Sequence, residues 1–465
     1  METIIQQISM EMAKEICRRV EEGGMSDIDR FATEALELCK ESVQEIITQI
    51  VKKLNDELRA DKAYRKEQGL LLKETERERC LLTEIGLITI SRDYYRIKAS
   101  NEYVYPIDSM LGLAAYERVS ANLSARMVGQ AAEVSYEKSA RTESGGKVSK
   151  QTVKNKLLAA GRLEKEMPKE KRTVTELHIF ADEDHAHLCN GKNCDVPLIT
   201  VSEGVKEVCK DRNALIHPVH FSSASRHTGM TWETVAGYIE QAYEENRIDK
   251  IYLHGDGASW IKKGLDVLPK SLFVIDGFHL EKRLKSVTAA FSKQNYHFRI
   301  RQAFFEKKKE KALSLIKEML SLSENPKQAK RIRKFLGYVK NNWDGIVQRH
   351  TQGVIGSCTE GLISHIYSER LSRNPMGWSD AGLNKMAELR VYTRNGCVVS
   401  GELFKRPQEE KGRSALSEYA NERLRQAVSG YLDWSIFEKE PYCPAVNSAT
   451  QMLIRSYGCQ HSMAG

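Results

Sequence analysis

The chain has 465 residues, 29% of them charged and 41% hydrophobic, with a formal net charge of +8. That length exceeds what one core sustains and predicts two to four domains of ordinary globular composition. No apolar run nears the roughly 20 residues of a membrane span, and residues 1–20 lack a signal-peptide core, so a cytoplasmic chain without membrane partners is expected; the charge permits a polyanionic partner without demanding one.

The ten cysteines are scattered, with no C-x-x-C pair. Free, buried thiols are the simplest reading, and the ligand set of a zinc ribbon or finger is missing, so no zinc is expected.

At the start, Ile4, Ile5, Ile8, Met12, Ile16 and Val20 recur at helical spacing. Gly23 and Gly24 interrupt the run and Phe31–Leu58 resumes it, which predicts a helical region over 1–78 whose stripe is core or an oligomer surface. From Leu81 to Val104 the period changes to two and predicts a small β element. Helices follow, from Ala121 to Ala140 and again from Ser149 after the turn Thr142–Gly146. With Ser149 as N-cap, the second helix presents Lys150, Gln151, Thr152 and Lys154 and keeps Val153, Leu157 and Leu158 inward. That is the outline of a helix-turn-helix entering a major groove; an amphipathic surface helix with solvated lysines fits the same residues. Residues 165–172 (KEMPKEKR) read as a linker.

Beyond the linker the character is α/β. Strands are predicted over 175–188, 198–203 and 215–221, then a helix over 231–243, then the run Ile251–Leu253, which ends on Gly255-Asp256-Gly257. A further run, Ser271–Ile275, ends on Asp276 and is followed by Gly277, Phe278, His279 and a basic helix. Two acids thus end two strands, where chemistry collects in α/β sheets. Three strands, a helix and a strand is the order of a ribonuclease-H-like fold.

Alternation along the first strand puts Asp182 and Asp184 on one face and His185, His187 and Cys189 on the other. The carboxylate face suits a hard cation and the other a softer one; the carboxylates are preferred. A third acid must come from beyond the basic helical tract 283–350. In Ser357-Cys358-Thr359-Glu360, Glu360 is either a site acid or the acid of a capping box. Glu369, nine residues on, points away from Glu360, so only one of the two faces a site. After residue 378 no chemistry is assigned, although Arg390, Arg394 and Lys405 are available for DNA.

The motifs ADED at 181–184, HGDGASWI at 254–261, IDGFHLEKRL at 275–284 and GVIGSCTEGLISHIYSERL at 353–371, with YVYPIDSMLGL at 103–113 and VSKQTVKNKL at 148–157, resemble those of the DDE transposases of bacterial insertion sequences. The nearest resemblance is to the ISLre-type family and, more remotely, the Mutator-like group. It implies Asp182, Asp256 and Glu360 as catalytic acids holding Mg²⁺, with Mn²⁺ as a possible substitute. Asp276 and His279 would be supporting residues, and the basic tract the helical insertion that precedes the glutamate. Two ions about 3.5–4 Å apart would activate the attacking oxygen and stabilise the leaving one, without a covalent protein intermediate.

Lys282, Arg283 and Lys285 then become phosphate contacts alongside the Ser149 helix, or else lie on a solvated face. The partners implied are terminal inverted repeats and target DNA, bound by a homo-oligomer in the bacterial cytoplasm at the nucleoid. The expected architecture is an α/β, ribonuclease-H-like catalytic core (173–285 and 351–378) with a basic helical insertion (286–350). It is preceded by a mainly helical N-terminal DNA-binding region, comprising helices over 1–78 and a β element, helix-turn-helix and linker over 79–172, and it is followed by residues 379–465. A nuclease or resolvase without strand transfer, a non-catalytic DNA-binding regulator and, last, a zinc enzyme using His185, His187 and Cys189 are the alternatives.

Overall fold

The computed structural model describes residues 2–23, 27–209, 212–222, 228–374, 376–405, 418–419 and 422–423. Most of the expected C-terminal region, with Cys443 and Cys459, lies outside them. Two compact units form, one from residues 1–120 with the described residues beyond 405, the other from 121–405.

In the first unit, α1 (Glu2–Glu21), α2 (Ile28–Ala60) and α3 (Lys62–Glu67) precede a hairpin of β1 (Leu70–Thr83) and β2 (Gly86–Ile97), extended by β3 (Tyr103–Val104) and followed by α4 (Pro106–Met110). Val51 and Leu54 of α2 pack on Ile88 and Ile90 of β2 and on Ile107. The helical region therefore stops short of residue 78. Residues 70–80 form a strand although they read LLLKETERERC, because most of that strand faces solvent and its charges need no burial.

The second unit begins with α5 (Ala121–Ala131), α6 (Tyr136–Ser144) and α7 (Lys150–Ala159). The expected first helix is thus two, and the expected 79–172 region is divided at residue 120, its β element in the first unit and its helices in the second. Ser149 caps α7 as predicted, its Oγ accepting from Thr152 N at 3.3 Å. Val153 and Leu157 are buried, whereas Leu158 is 40% exposed, contrary to expectation. Val128, Ala132 and Leu157 join Ala186, Leu198, Tyr367 and Leu383 in one apolar core, so the three helices pack on the sheet-bearing body.

The sheet holds five strands. β4 (Glu176–His187) is central, with β5 (Asn193–Ser202) antiparallel on one side; β6 (Val205–Cys209) and β7 (Arg212–Leu215) form a separate ribbon before β8 (Val219–Ser222) pairs antiparallel with β5. After α8 (Thr228–Ala242), β9 (Lys250–Gly255) lies parallel to β4. The short helices α9 (Ser259–Lys262) and α10 (Gly264–Val267) lead to β10 (Ser271–Ile275), parallel to β9 at the edge. The order β10-β9-β4-β5-β8 combines a parallel half with an antiparallel half. Trp232, Val235 and Ile239 of α8 cover one face over Leu177, Ile179, Val201 and Leu253.

From β10 the chain enters α11 (Gly277–Thr288), α12 (Tyr296–Phe305), α13 (Lys309–Ser321), α14 (Pro326–Asn341) and α15 (Trp343–Arg349). These helices have a core of their own, with Ile300, Phe304, Ile316, Ile332, Phe335 and Val339 at its centre, which reaches the sheet through Ile275 and Phe273. Gly345 permits that docking, since a Cβ there would come within 2.5 Å of the Phe273 ring. The chain returns as α16 (Thr359–Ile363), a π-turn over Ser364–Ser368, α17 (Glu369–Leu371) and α18 (Asp380–Arg394).

Candidate metal centre

Strand register assembles the site. Phe180 of β4 is level with His254 of β9, and His254 with Val274 of β10, so two residues further Asp182, Asp256 and Asp276 stand in a row across three adjacent parallel strands, Asp256 and Asp276 just past the ends of β9 and β10 and Asp182 within β4, which runs on to His187. Each follows an apolar run, and for Asp256 and Asp276 the strand ends there. Gly255 is required by the packing: a Cβ would lie 2.8 Å from Ile261 and 3.1 Å from Ala181 O. Gly257 has a φ of +92°, which lets the turn leave Asp256 sharply.

Donor atoms of Asp182, His279 and Glu360 all lie within 4.8 Å of one another. Two carboxylates and an imidazole at such spacing are a donor set that fits a divalent cation. Asp182 is 9% exposed. Burial pushes its carboxyl up to about 7, with the His279 imidazole and the Glu183 backbone N–H opposing and the charges of Glu183 and Asp256 adding to the rise. Glu360 is exposed in the first turn of α16. It belongs to no capping box, since Cys358 is the N-cap without a side-chain bond and Ser357 Oγ instead meets the Thr359 hydroxyl at 3.2 Å.

Asp276 plays two structural roles at once. Its Oδ1 caps α11 by accepting from His279 N at 2.9 Å, and its Oδ2 accepts from Thr359 Oγ1 at 2.6 Å. Burial alone would raise this carboxyl, but the donors from His279, Ser357 and Thr359 outweigh it and hold Asp276 well below the usual range. His279 Nδ1 stands 3.3 Å from Asp276 Oδ1 as an ion-pair contact. That neighbour raises the imidazole above its ordinary value against the effect of burial, with Asp182 and Asp256 contributing.

Asp256 stands beside this group without joining it. Its Oδ1 accepts from Ala258 N at 2.8 Å, and its Oδ2 lies 3.3 Å from Arg283 Nη2. Arg283 stacks over Tyr338, 4.5 Å from the ring centroid, and the Tyr338 hydroxyl donates to Asp256 O at 2.9 Å. Arg283, expected as a phosphate contact, is thus engaged with a site acid. Sequence reasoning did not find this role or those of Thr359 and Tyr338. The KRL run after His279 signals charge there, but only the fold turns Arg283 toward Asp256. The expected metal set Asp182, Asp256 and Glu360 therefore appears with His279 in the tight group and Asp256 at its margin.

Asp184, on the same strand face as Asp182, serves the framework: Ser368 and Ser372 donate to its Oδ1 at 3.1 and 2.9 Å, fixing the segment after Glu360. On the opposite face His185 meets Asp195 at 2.8 Å and His187 meets Asn193 at 2.6 Å, pairs across the β4–β5 hairpin. Glu369 points to His365 at 3.2 Å and toward Arg390 and Arg394, away from Glu360. Trp260 is half-buried against the core and donates to Glu183 at 2.5 Å.

Among the residues proposed for DNA, Lys150 and Gln151 are exposed and Thr152 and Lys154 partly buried, with Gln151 donating to Asn155 at 2.8 Å. Lys282 lies over the Phe278 ring at 5.5 Å, and Lys285 lies 3.7 Å from Glu281. Arg390 is unavailable: fully buried, it donates to His365 O and Ile366 O within the π-turn and to Ala132 O just past the end of α5. Arg394 pairs with Glu133 at 3.2 Å, and Lys405 with Glu402. No helix among the described residues is long and apolar enough to cross a membrane.

Residues 22–406 match the model of the uncharacterised protein family UPF0236. A UPF0236 protein of Caldanaerobacter subterraneus subsp. tengcongensis is 36% identical over 400 residues, 85% of this chain and 84% of the relative, and its name carries eleven locus designations of that genome. A second from the same organism, named with four loci, is 37% identical over 352 residues, covering 75% of this chain and 74% of the relative. A UPF0236 protein of Streptococcus gallolyticus, described as lying in the vanSb 3′ region, is 24% identical over 387 residues, 79% and 83% of the two chains.

Proposed function

We propose that this chain, which belongs to the UPF0236 family, is a transposase that binds the ends of its own insertion sequence and carries out metal-dependent DNA cleavage and strand transfer. The observation that carries the reading is the convergence of Asp182, His279 and Glu360, with Asp256 beside them, from four separate segments at the carboxyl edge of one sheet. Such an edge is where α/β folds gather chemistry. The strand order, three antiparallel strands continued by two parallel ones, supports a ribonuclease-H-like core.

Asp182 and Glu360, with His279 and Asp256, would hold divalent cations, which when bound activate an oxygen nucleophile and stabilise the departing oxygen of a phosphodiester. Asp276 and Asp184 orient the elements that carry these donors. On α14, Lys327, Lys330, Arg331, Arg333 and Lys334 are exposed opposite the buried Ile332, Phe335 and Val339, a basic face suited to a phosphate backbone. A relative named with eleven loci in one genome supports a mobile segment rather than a housekeeping nuclease.

The test uses purified protein, duplexes bearing the element's ends, and Mg²⁺ or Mn²⁺. Cleavage at the ends and covalently joined end–target products are expected, both lost in Asp182→Asn, Asp256→Ala and Glu360→Gln. Cuts without joined products would leave a nuclease or resolvase. Cation-dependent cutting that persists undiminished in the pure Asp256→Ala and Glu360→Gln proteins would remove the assigned site and leave a DNA-binding regulator contaminated by another enzyme.

A further inference from the structure

A nitrogen donor inside an otherwise oxygen-lined centre is what a plain three-carboxylate site does not account for. His279 sits in the first turn of α11, half-buried, with Nδ1 3.3 Å from Asp276 Oδ1. Asp276 is itself immobilised by His279 N and Thr359 Oγ1. The 3.3 Å approach to Asp276 is an ion-pair contact that leaves His279 Nδ1 without a hydrogen-bond partner, so the ring is held among carboxylates with its donor capacity unspent. The imidazole lies within 4.8 Å of carboxylate oxygens from both Asp182 and Glu360. Asp256 is occupied elsewhere, by Ala258 N and Arg283.

We propose that the first divalent cation taken up by this protein, before DNA is bound, is held by Asp182, Glu360 and an imidazole nitrogen of His279, with Asp256 not among its ligands. The inference rests on reading the centre as a cation site. Imidazole suits borderline first-row ions, whereas Mg²⁺ and Ca²⁺ are served by oxygen donors. The donor set therefore favours Mn²⁺ over Mg²⁺ and takes one ion per chain while Arg283 remains on Asp256.

The experiment is Mn²⁺ titration of the full chain without DNA, read by the electron paramagnetic resonance of free and bound Mn²⁺, with pulsed measurement of ¹⁴N coupling on the bound fraction. One ion per chain with a resolved ¹⁴N coupling is expected, together with at least tenfold weaker competition by Mg²⁺ than by unlabelled Mn²⁺-like ions such as Co²⁺. The coupling should vanish in His279→Gln and persist in Asp256→Asn. Bound Mn²⁺ lacking ¹⁴N coupling in the wild-type chain overturns the inference whatever the variants do, as does unchanged coupling in a folded His279→Gln or loss of the first ion in Asp256→Asn. Strand transfer present without ¹⁴N coupling would sink this inference alone. Coupling present without any DNA cutting would sink the transposase reading alone.

Discussion

Thr359 Oγ1 donates a 2.6 Å hydrogen bond to Asp276 Oδ2 across 83 residues of sequence. The bond ties the first turn of α16 to that of α11, the two helices that carry Glu360 and His279. Replacing Thr359 by Val leaves a buried carboxylate oxygen without its donor, which costs about 1–3 kcal/mol. Melting of Thr359→Val should fall accordingly, and Mn²⁺ affinity should drop by about 10–100-fold, as for other outer partners of ligating side chains. Thr359→Ser, which keeps the hydroxyl, should recover most of both. Equal cation affinity in Thr359→Val and wild type would show that the tie does not position Glu360.

Cation affinity should depend steeply on pH around neutrality. Burial raises Asp182 to about 7, so below that pH its oxygen carries a proton the cation must displace. His279 is raised as well and must lose its proton to ligate. The sign follows: affinity climbs as pH rises, the Asp182 contribution levelling off above about 7 and the His279 contribution being added where its raised imidazole loses its proton, by about tenfold per unit for one displaced proton and up to about a hundredfold for two. Calorimetry in buffers of different ionisation heat would count the protons released. Flat affinity between pH 6 and 8 would contradict the assigned burial effect.

Arg283 neutralises Asp256 and rests on Tyr338. In Arg283→Gln, Asp256 is left with the Ala258 amide alone, so a second Mn²⁺ should bind at lower concentration than in wild type without DNA. If Arg283 also meets a phosphate when DNA is bound, the slope of log affinity against log salt should shrink by about one. An unchanged second-ion isotherm would mean that the contact does not restrain Asp256.

His220 is buried on β8 with Nδ1 2.9 Å from Thr200 Oγ1, and burial, helped by Lys165 and Arg394, lowers it to about 4. An unfolded chain takes up that proton near pH 6.5, while the folded one does not until about 4. Stability is therefore lost as pH falls through this window, at no more than about 1.4 kcal/mol per unit from this residue. Urea unfolding of His220→Gln at pH 6.5 and 4.5 should show a smaller decline than wild type. Equal declines would mean that His220 is not held neutral.

Asp256 and Asp276 are legible in the sequence because each ends an apolar run and is followed directly by glycine, Gly257 and Gly277, whereas Asp182, inside its strand, is marked only by the face it shares with Asp184. Glu360 lay within reach of its motif but not of its geometry, since its approach to Asp182 depends on the Asp276–Thr359 bond and on Asp184 holding Ser368. The charged stretch of β1 was hidden because an exposed strand need not alternate in polarity. Arg390 reads in sequence like a residue facing solvent, because nothing local marks a guanidinium that bonds carbonyls of the π-turn and of Ala132. The π-turn over Ser364–Ser368 left no pattern at all, being produced by packing rather than by local preference.

The close seating of Gly345 on Phe273 bears on time as well as shape. Asp182 and Glu360 are 178 residues apart in sequence, and five helices between them, α11–α15, are docked on the edge strand at this point. Contacts between residues so far apart in sequence close late, after local helices have formed. The cation centre is therefore a long-range assembly: whatever loosens the helices from Phe273 loosens the approach of Glu360 to Asp182.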